Sequence, residues 1–345
     1  MEENILPSTY NSIELETYGG PLKIKVNTFR DLDDEELLVK VMCATIHPAD
    51  LFFLKGLYGT CTPELLPAVP GFEGSGVIVK VGSKLDSNLI GKRCNVVGGQ
   101  NKNGLYQGLW TQYHYNSIRL TTVFNSDVDF EKICFATVNP LTACGFIDSL
   151  KKKNVKVVGQ NGASSAFAKM FIRLCAKEGI KTVNIVRKQD HINKLKGFGA
   201  DFVLNSSEKN WENEFKSTCE SLNLKHFFEC VGGSMTGKIL SLLPSESTVY
   251  HYGNLELQDI SNVKTSDLIF QKKTLTGWWL SDWFNTISLD EIIYWKSFVV
   301  KEYESGSDLF ETTVSKSFSL ENFEKAFESY LANMSEGKIL FKPNN

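Results

Sequence analysis

Two kinds of hydrophobic pattern divide the chain. Up to about residue 120, short apolar stretches such as Leu37–Ala44 and Val77–Gly82 alternate or end at glycines, which predicts a β-rich region. From about residue 128 to 285, strand-length apolar runs alternate with helix-length amphipathic stretches. The strands predicted there are Val155–Gly159, Thr182–Val186, Phe202–Leu204, His226–Cys230, Thr248–Gly253 and Thr274–Trp279.

The stretches between these strands, notably Ser164–Lys177 and Gln189–Phe198, predict helical crossover connections. Six parallel strands joined in this way form a doubly wound α/β sheet. The last apolar run, Gly337–Phe341, has little room in a full six-stranded sheet. We therefore expect a β-rich domain from residues 1–127 and 286–345, and a doubly wound domain from residues 128–285.

The loop after the first of these strands has the composition of a dinucleotide-binding turn. Small residues there let the backbone approach a pyrophosphate, and the following helix N-terminus supplies N–H donors and a positive dipole end. Glycines expected late in the loop are replaced by Ala166 and Ala168, and Phe167 is bulky. An ordinary strand–turn–helix therefore remains an alternative.

The end of the second strand bears on the choice of nucleotide. An acidic residue there would hold the 2′-hydroxyl of an adenosine ribose. Here the strand is followed by Arg187 and Lys188, with no carboxylate between them. Two cations suit a 2′-phosphate, so the sequence predicts NADPH as the cofactor.

Composition narrows the function classes. The net charge of −3 disfavours a general nucleic-acid binder. The eight cysteines are scattered without a Cys-x-x-Cys pair, which predicts free thiols in a reducing compartment. No apolar run reaches the length of a membrane span, so none is expected. From the acidic start, with no arginine before Arg30, neither a secretory signal nor an Arg-rich transit peptide is expected.

Several segments resemble one family over nearly the whole chain. In order they are Lys55–Gly59, Pro70–Val77, Val138–Ala143, Thr182–Arg187, Cys230–Gly233, the tryptophan-rich Gly277–Trp283, and Gly337–Leu340. Together they resemble the medium-chain dehydrogenase/reductase superfamily, and within it the mitochondrial trans-2-enoyl-CoA/ACP reductases. The resemblance implies a GroES-like β-rich catalytic domain plus a Rossmann NADP-binding domain with a doubly wound parallel sheet.

Zinc-bearing members of the superfamily hold a catalytic Zn²⁺ with Cys and His ligands. Alignment by resemblance places His47, Phe72 and Val138 at those positions, and one possible ligand does not make a site. The lobe that carries four cysteines in zinc-bearing relatives corresponds to Asn95–Trp110, which contains none. We expect no metal, and we expect His47 either to make a structural hydrogen bond or to contact substrate.

The resemblance implies NADPH-dependent reduction of the C2=C3 bond of trans-2-enoyl thioesters in fatty-acid synthesis. A hydride goes to C3, and Tyr58 assists the delivery of a proton to C2. The alternative for Tyr58 is a surface-loop ring that only packs. Alternatives for the whole chain are a zinc-free NADPH:quinone or enone oxidoreductase, and an inactive relative that serves as a structural subunit.

The resemblance also implies a set of ligand contacts. Phe167 is one of the expected cofactor contacts, and its bulky side chain must point into the core or it would displace the cofactor. The tryptophans could instead be core packing or a dimer seam, and Asn139 could be only part of a helix start. The expected substrate contacts are Tyr58, His47 and Trp279. The expected cofactor contacts are Asn139, Thr142, Ser164, Ser165, Ala166, Phe167, Arg187, Lys188, Tyr252, Gly253, Asn254, Leu255, Trp278, Trp279, Leu280 and Lys338.

Partners and compartment are likewise implied by the resemblance. They are an acyl-CoA or acyl-carrier-protein substrate, a homodimer, and a mitochondrial location. Because no presequence is visible, a cytoplasmic location is the alternative.

Overall fold

The structure is a computed structural model that describes residues 6–59, 61–332 and 336–344. It divides into a first unit, Met1–Pro140 with Lys296–Asn345, and a second unit, Leu141–Trp295. The sequence places these boundaries earlier, at 127/128 and 285/286. The junctions fall later along the chain because each lies within a continuous helix, Val138–Lys152 or Leu289–Glu304.

The first unit is mostly β-structure. Its opening part contains β1 (Thr9–Leu15), β2 (Leu22–Thr28), β3 (Glu36–Thr45), α1 (Pro48–Leu54), β4 (Glu73–Val81), β5 (Arg93–Val97), β6 (Gly99–Gln100), β7 (Tyr106–Gln107), β8 (Tyr113–Ser117), β9 (Thr121–Phe124) and α2 (Phe130–Ile133), and leads into α3 (Val138–Lys152).

The second unit alternates strands and helices. Its elements are β10 (Val157–Gln160), α4 (Ala166–Lys177), β11 (Lys181–Val186), α5 (Asp190–Gly197), β12 (Phe202–Asn205), α6 (Trp211–Leu222), β13 (His226–Glu229), α7 (Gly233–Leu242), β14 (Thr248–His251), α8 (Thr265–Ile269), β15 (Thr274–Gly277) and α9 (Leu280–Thr286), followed by α10 (Leu289–Glu304). The chain then returns to the first unit with β16 (Val314–Phe318), α11 (Phe323–Ala332) and β17 (Lys338–Phe341).

A seven-stranded sheet organises the first unit. Its strand order is β16-β17-β3-β4-β5-β9, with β8 also paired to β3. All its pairings are antiparallel except that of β16 with β17. The chain's last strand thus completes this sheet, as the sequence predicts. The core beside it includes Trp110, whose ring lies 5.5 Å from that of Phe341.

The second unit is the predicted doubly wound sheet. Its six strands are all parallel, in the order β12-β11-β10-β13-β14-β15. All six strand predictions and both helix predictions are confirmed, with ends shifted by one or two residues. The strand order reverses between β10 and β13. In such sheets ligands bind at the carboxyl ends of the strands beside that reversal.

Local chemistry explains why α4 begins where it does. Ser165 is its N-cap, and its Oγ accepts a hydrogen bond from the Ala168 amide at 3.1 Å. Ala168 and Ile172 then face β11 and α5 in one apolar cluster with Val186 and Leu195. Among the residues described, no helix is both long enough and apolar enough to cross a membrane.

Candidate functional site

The turn from β10 to α4 is shaped for close approach of a ligand. Gly162 has φ +57°, and a Cβ there would lie 2.6 Å from Sγ of Cys230. Only glycine therefore fits. Ser164 and the cap residue Ser165 follow, and the first-turn amides of Ala166 and Phe167 have no intrahelical acceptors. Such a turn suits a phosphate group.

Phe167 does not close this turn. Its side chain is 8% exposed, and its ring lies 5.3 Å from the rings of both Phe146 and Tyr252. Of the two outcomes that the sequence leaves open, the side chain therefore takes the core position. Its backbone amide remains at the start of α4.

Arg187 and Lys188 follow the end of β11 and are exposed. The Arg187 carbonyl accepts a hydrogen bond from Ser207 Oγ at 2.8 Å, which holds the backbone at this corner. Neither cation forms an ion pair with any residue that the structure describes. Their positive charge is therefore available to an anionic ligand.

Glu229, which sequence reasoning missed, is a hydrogen-bond hub at the end of β13. Its carboxylate is fully buried and accepts hydrogen bonds from Asn161 Nδ2 at 2.7 Å, the Val231 amide at 2.8 Å and Thr236 Oγ1 at 2.8 Å. Burial works to raise the pKa of Glu229, but these hydrogen bonds and one from His251 outweigh it and lower the pKa. The carboxylate is thus ionised at neutral pH and ties together the ends of β10, β13 and β14.

His251 completes this network. Its Nδ1 lies 2.7 Å from Glu229 Oε2, and its side chain is 21% exposed. Because an ionised carboxylate only accepts hydrogen bonds, Nδ1 must carry a proton. Nε2 has no hydrogen-bond partner among the residues described. The contact to Glu229 therefore fixes the orientation of the imidazole at the carboxyl edge of the sheet.

A signal for this pair is present in the sequence. Glu229 is a charged residue inside the apolar run His226–Cys230, and His251 ends the neighbouring strand. A buried carboxylate needs partners, but no local pattern identifies a histidine twenty-two residues away as one of them.

The turn after β14 carries four of the predicted cofactor contacts, Tyr252 to Leu255. The Leu255 amide donates to the Cys230 carbonyl at 2.9 Å, and a Cβ at Gly253 would lie 3.2 Å from Cβ of Cys230. The Asn254 side chain accepts from the Gln258 amide at 3.1 Å. The turn therefore packs against the end of β13, at the same carboxyl edge as the Gly162 turn.

The tryptophan-rich segment packs on α3. A Cβ at Gly145 would lie 2.7 Å from the Trp278 ring and 2.8 Å from the Trp283 ring. Trp283 Nε1 donates to Asp148 at 2.9 Å. These contacts are the ones expected if Trp278 and Trp283 pack in the core, which is one of the alternatives that the sequence leaves open. Trp279 and Leu280 are half-buried at the start of α9, and the cofactor and substrate roles of the segment stay predictions.

Asn139 and Thr142 lie in the first two turns of α3, the former buried and the latter half-buried. Asn139 thus lies in the first turn of a helix, which is the alternative to a cofactor contact given by the sequence. Their position beneath a nicotinamide stays a prediction.

Tyr58, in the first unit, follows a tight turn. Gly56 has φ +71°, and a Cβ there would lie 3.0 Å from Cγ of Tyr18. The Tyr58 ring packs 4.7 Å from that of Phe72, and the side chain is half-buried. The turn and the ring contact fix the direction of a tyrosine that keeps partial access to solvent.

His47 lies in a buried ionic network. It is 2% exposed, and its Nε2 lies 3.0 Å from Oε2 of the fully buried Glu73. The other carboxylate oxygen of Glu73 accepts from the amides of Thr137 and Val138, at 2.5 and 3.1 Å. Burial, and then the charge of Lys338, lower the pKa of His47. The imidazole is therefore neutral at pH 7.

Lys338 closes the network. Its Nζ lies 3.4 Å from Nδ1 of His47, and burial lowers the pKa of its ammonium to about 8. Both ring nitrogens of His47 are therefore engaged within the first unit, which is the structural role that the sequence allows. Its substrate contact, and the cofactor contact of Lys338, stay predictions. Within residues 6–59, 61–332 and 336–344, no group of three His, Cys, Asp or Glu side chains is arranged to hold a metal.

Comparison with known proteins gives a consistent assignment. Residues 33–115 match the alcohol dehydrogenase GroES-like domain, and residues 167–292 match the zinc-binding dehydrogenase family. The chain is 32% identical over 280 residues to the mitochondrial enoyl-[acyl-carrier-protein] reductase of Caenorhabditis elegans, covering 78% of this chain and 77% of the relative.

Two solved structures share the fold. A Mesorhizobium loti protein assigned as an NADPH:quinone reductase matches with a TM-score of 0.86 and 25% identity, over 98% of this chain and 100% of that one. A mutant enoyl thioester reductase from Candida tropicalis matches with a TM-score of 0.74 and 19% identity, over 97% and 99% of the two chains, and shows the fold alone. The predicted GroES-like and Rossmann fold is confirmed. The chain belongs to the medium-chain dehydrogenase/reductase superfamily, as a zinc-free oxidoreductase similar to the mitochondrial enoyl-[acyl-carrier-protein] reductases.

Proposed function

We propose that the protein is an NADPH-dependent reductase of 2-enoyl thioesters, carried by coenzyme A or an acyl carrier protein, in fatty-acid synthesis. The observation that carries the proposal is the identity with enoyl-[acyl-carrier-protein] reductases over about three quarters of both chains. The turn at Gly162 and the paired cations after β11 support the nucleotide part of it.

The second unit offers contacts along the length of a dinucleotide. The amides at the start of α4 would hold the pyrophosphate, Arg187 and Lys188 the 2′-phosphate, and the turn from Tyr252 to Leu255 the nicotinamide ribose. NADPH, when bound, supplies a hydride, which would be accepted by C3 of the enoyl thioester.

Tyr58 would complete the reduction. Addition of hydride at C3 leaves negative charge on C2 and on the thioester oxygen. The Tyr58 hydroxyl would donate a proton to C2, or hydrogen-bond to the enolate oxygen until water protonates C2. One hydride and one proton thus saturate the double bond.

A second candidate is a zinc-free NADPH:quinone or enone reductase. It is favoured by the match to the Mesorhizobium loti protein, which has the higher TM-score and identity of the two solved structures compared. Such an enzyme would use the same cofactor contacts. It would not need Tyr58 to protonate a carbon.

The substitution Tyr58→Phe tests the assignment of the proton donor. The expected result is a fall in kcat of about 10²–10⁴-fold with an enoyl-CoA, because a general acid contributes that much. The matched control is Tyr18→Phe, a tyrosine of the same aromatic cluster whose hydroxyl donates to the Thr62 carbonyl at 3.0 Å. Its kcat should stay near that of the wild type. A rise in KM alone for Tyr58→Phe would make the residue a binding contact.

We also propose a homodimer and a mitochondrial location. The location follows from the relatives named above, and the dimer from the family resemblance. Light scattering of the purified chain tests the homodimer, and a mass near 38.7 kDa would count against it. Imaging of the tagged full chain tests the mitochondrial location, and a diffuse cytoplasmic signal would contradict it.

A further inference from the structure

The first unit contains a polar cavity apart from the residues assigned above. It has a volume of about 220 Å³ and lies between the start of β3, the β6–β7 hairpin and β8. Its lining includes Glu35, His114 and Asn116, but neither Tyr58 nor His47. The proposed reduction therefore does not account for it.

His114 forms part of the cavity wall and holds a buried nitrogen without a partner. The residue is 3% exposed, and its Nε2 has no hydrogen-bond partner among the residues described. A buried polar atom left unpaired costs free energy, and a donor on a ligand would remove that cost.

The proton of the His114 imidazole is on the other ring nitrogen. Burial lowers the pKa of His114 to about 4, so the ring is neutral at pH 7. The Asn116 side chain and the Gly108 carbonyl act in the opposite direction, as acceptors of a ring N–H do. Because Nε2 has no partner, that N–H is at Nδ1, and Nε2 presents a lone pair.

Two donors of the cavity wall are already engaged within the protein. Lys102 Nζ donates to Asp33 Oδ1 at 3.2 Å. Asn116 Nδ2 donates to Thr121 Oγ1 at 3.2 Å. The donor that Nε2 of His114 lacks must therefore come from a ligand.

Glu35 gives the cavity a negative charge without a paired cation. The other two carboxylates of the lining, Asp33 and Glu36, each pair with a cation. Glu35 forms no ion pair within the described part of the chain. Its charge also acts on Lys84, but Lys84 pairs with Asp34 at 3.1 Å. A positively charged ligand would thus be attracted to Glu35.

The groups around the cavity suit an organic cation better than a metal ion. Protein metal sites commonly use three or more side-chain ligands. No three His, Cys, Asp or Glu side chains are arranged in that way among the residues described. The cavity also has room for carbon atoms, and Tyr115 and Leu120 contribute to its lining.

We propose that this cavity binds a small primary alkylammonium ion. Its N–H groups would donate to Nε2 of His114 and to the Glu35 carboxylate, and its carbon chain would lie within the cavity. A primary ammonium has three donors for these two acceptors, whereas a quaternary ammonium has the charge and no donor.

Titration followed by NMR of the histidine ring nitrogens tests the proposal on the full chain. The probes are n-butylammonium, n-butanol and tetramethylammonium, which separate the N–H donors from the carbon chain and from the charge. n-Butylammonium should shift the Nε2 resonance of His114 saturably, because its lone pair gains a hydrogen bond. The other two probes should leave that resonance unchanged at equal concentration. His114→Phe assigns the resonance by its loss.

A charge variant tests the site even if His114→Phe folds poorly. Glu35→Gln, at an exposed position, should weaken binding of n-butylammonium about fivefold, which is what one opposite charge at about 4 Å contributes in water. Glu16→Gln is the matched control, because Glu16 is an exposed carboxylate of the same unit that does not line the cavity. Its affinity should equal that of the wild type.

Three results would overturn the proposal. They are no shift of the His114 resonance with n-butylammonium, the same shift with n-butanol or tetramethylammonium, and equal affinity of the wild type and Glu35→Gln. These titrations use neither NADPH nor a thioester, so their outcome is separate from that of the proposed function.

Discussion

Each unit of the molecule buries one glutamate that binds a histidine, and the two pairs differ in what they leave accessible. In the first unit, His47 is 2% exposed, and Glu73 and Lys338 occupy both of its ring nitrogens. In the second unit, His251 is 21% exposed, and among the described residues only Glu229 contacts its ring, at Nδ1.

The difference shows that the same pair of side chains can serve two purposes. The network around Glu73 engages both ring nitrogens of His47, so it stabilises a local arrangement and leaves neither nitrogen for a ligand. The network around Glu229 fixes an imidazole and leaves Nε2 accessible at the carboxyl edge of a doubly wound sheet, where ligands bind. Accessibility, more than burial of the carboxylate, separates the two.

The largest effect on stability should come from removing the Glu73 carboxylate from its buried network. Glu73→Gln removes a buried negative charge that favours the Lys338 ammonium, and it places an amide among backbone donors. We expect the free energy of unfolding to fall by about 3–5 kcal/mol, because a buried charge loses a nearby opposite charge and the Thr137 and Val138 amides lose a carboxylate acceptor. Urea unfolding measures it.

A surface glutamate provides the comparison for that value. Glu131→Gln removes the partner of Lys342 in a partly exposed pair and should cost less than about 1 kcal/mol. The double variant Glu73→Gln/Lys338→Met should recover part of the loss. A loss for Glu73→Gln no larger than that for Glu131→Gln would mean that the buried network does not stabilise the first unit.

Substitution in the network around Glu229 should reduce the free energy of unfolding by less than substitution in the network around Glu73. Glu229→Gln keeps one oxygen acceptor but turns an amide donor toward the groups that donate to the carboxylate. We expect a loss of about 1–3 kcal/mol in the free energy of unfolding. Because the His251 ring has one hydrogen-bond partner within the described part of the chain, His251→Gln should cost less than Glu229→Gln. The reverse order in urea unfolding would remove the distinction between the two networks.

Lys338 should also make the stability of the protein depend on pH. Burial lowers the pKa of Lys338 from 10.5 to about 8. Between these values the unfolded chain binds a proton that the folded chain does not, so this group makes stability rise as pH increases from 8 to 10.5. Unfolding of the wild type and of Lys338→Met across this range measures it. Equal slopes for the two proteins would contradict the assignment.

Much of the fold could be predicted from the sequence because its signals are local. Each strand of the second unit is a short apolar run bounded by turn residues, and the crossover helices carry one apolar face. The segments that resemble the superfamily also predict the GroES-like domain. The unit boundaries were less accurate, because helices α3 and α10 run through both junctions.

The polar networks could not be predicted because their members are distant in sequence. Lys338 meets His47 across 291 residues, and Glu73 meets Thr137 across 64. Periodicity marks which positions are buried, but not which buried polar groups meet.

The most direct test of the account is turnover of NADPH by the purified full chain, with a medium-chain trans-2-enoyl-CoA and a simple quinone measured side by side. An enoyl-thioester reductase should oxidise NADPH with the enoyl thioester and form the saturated thioester. Oxidation with the quinone alone would contradict it and favour the quinone reductase. No oxidation with either substrate would favour an inactive relative with a structural role.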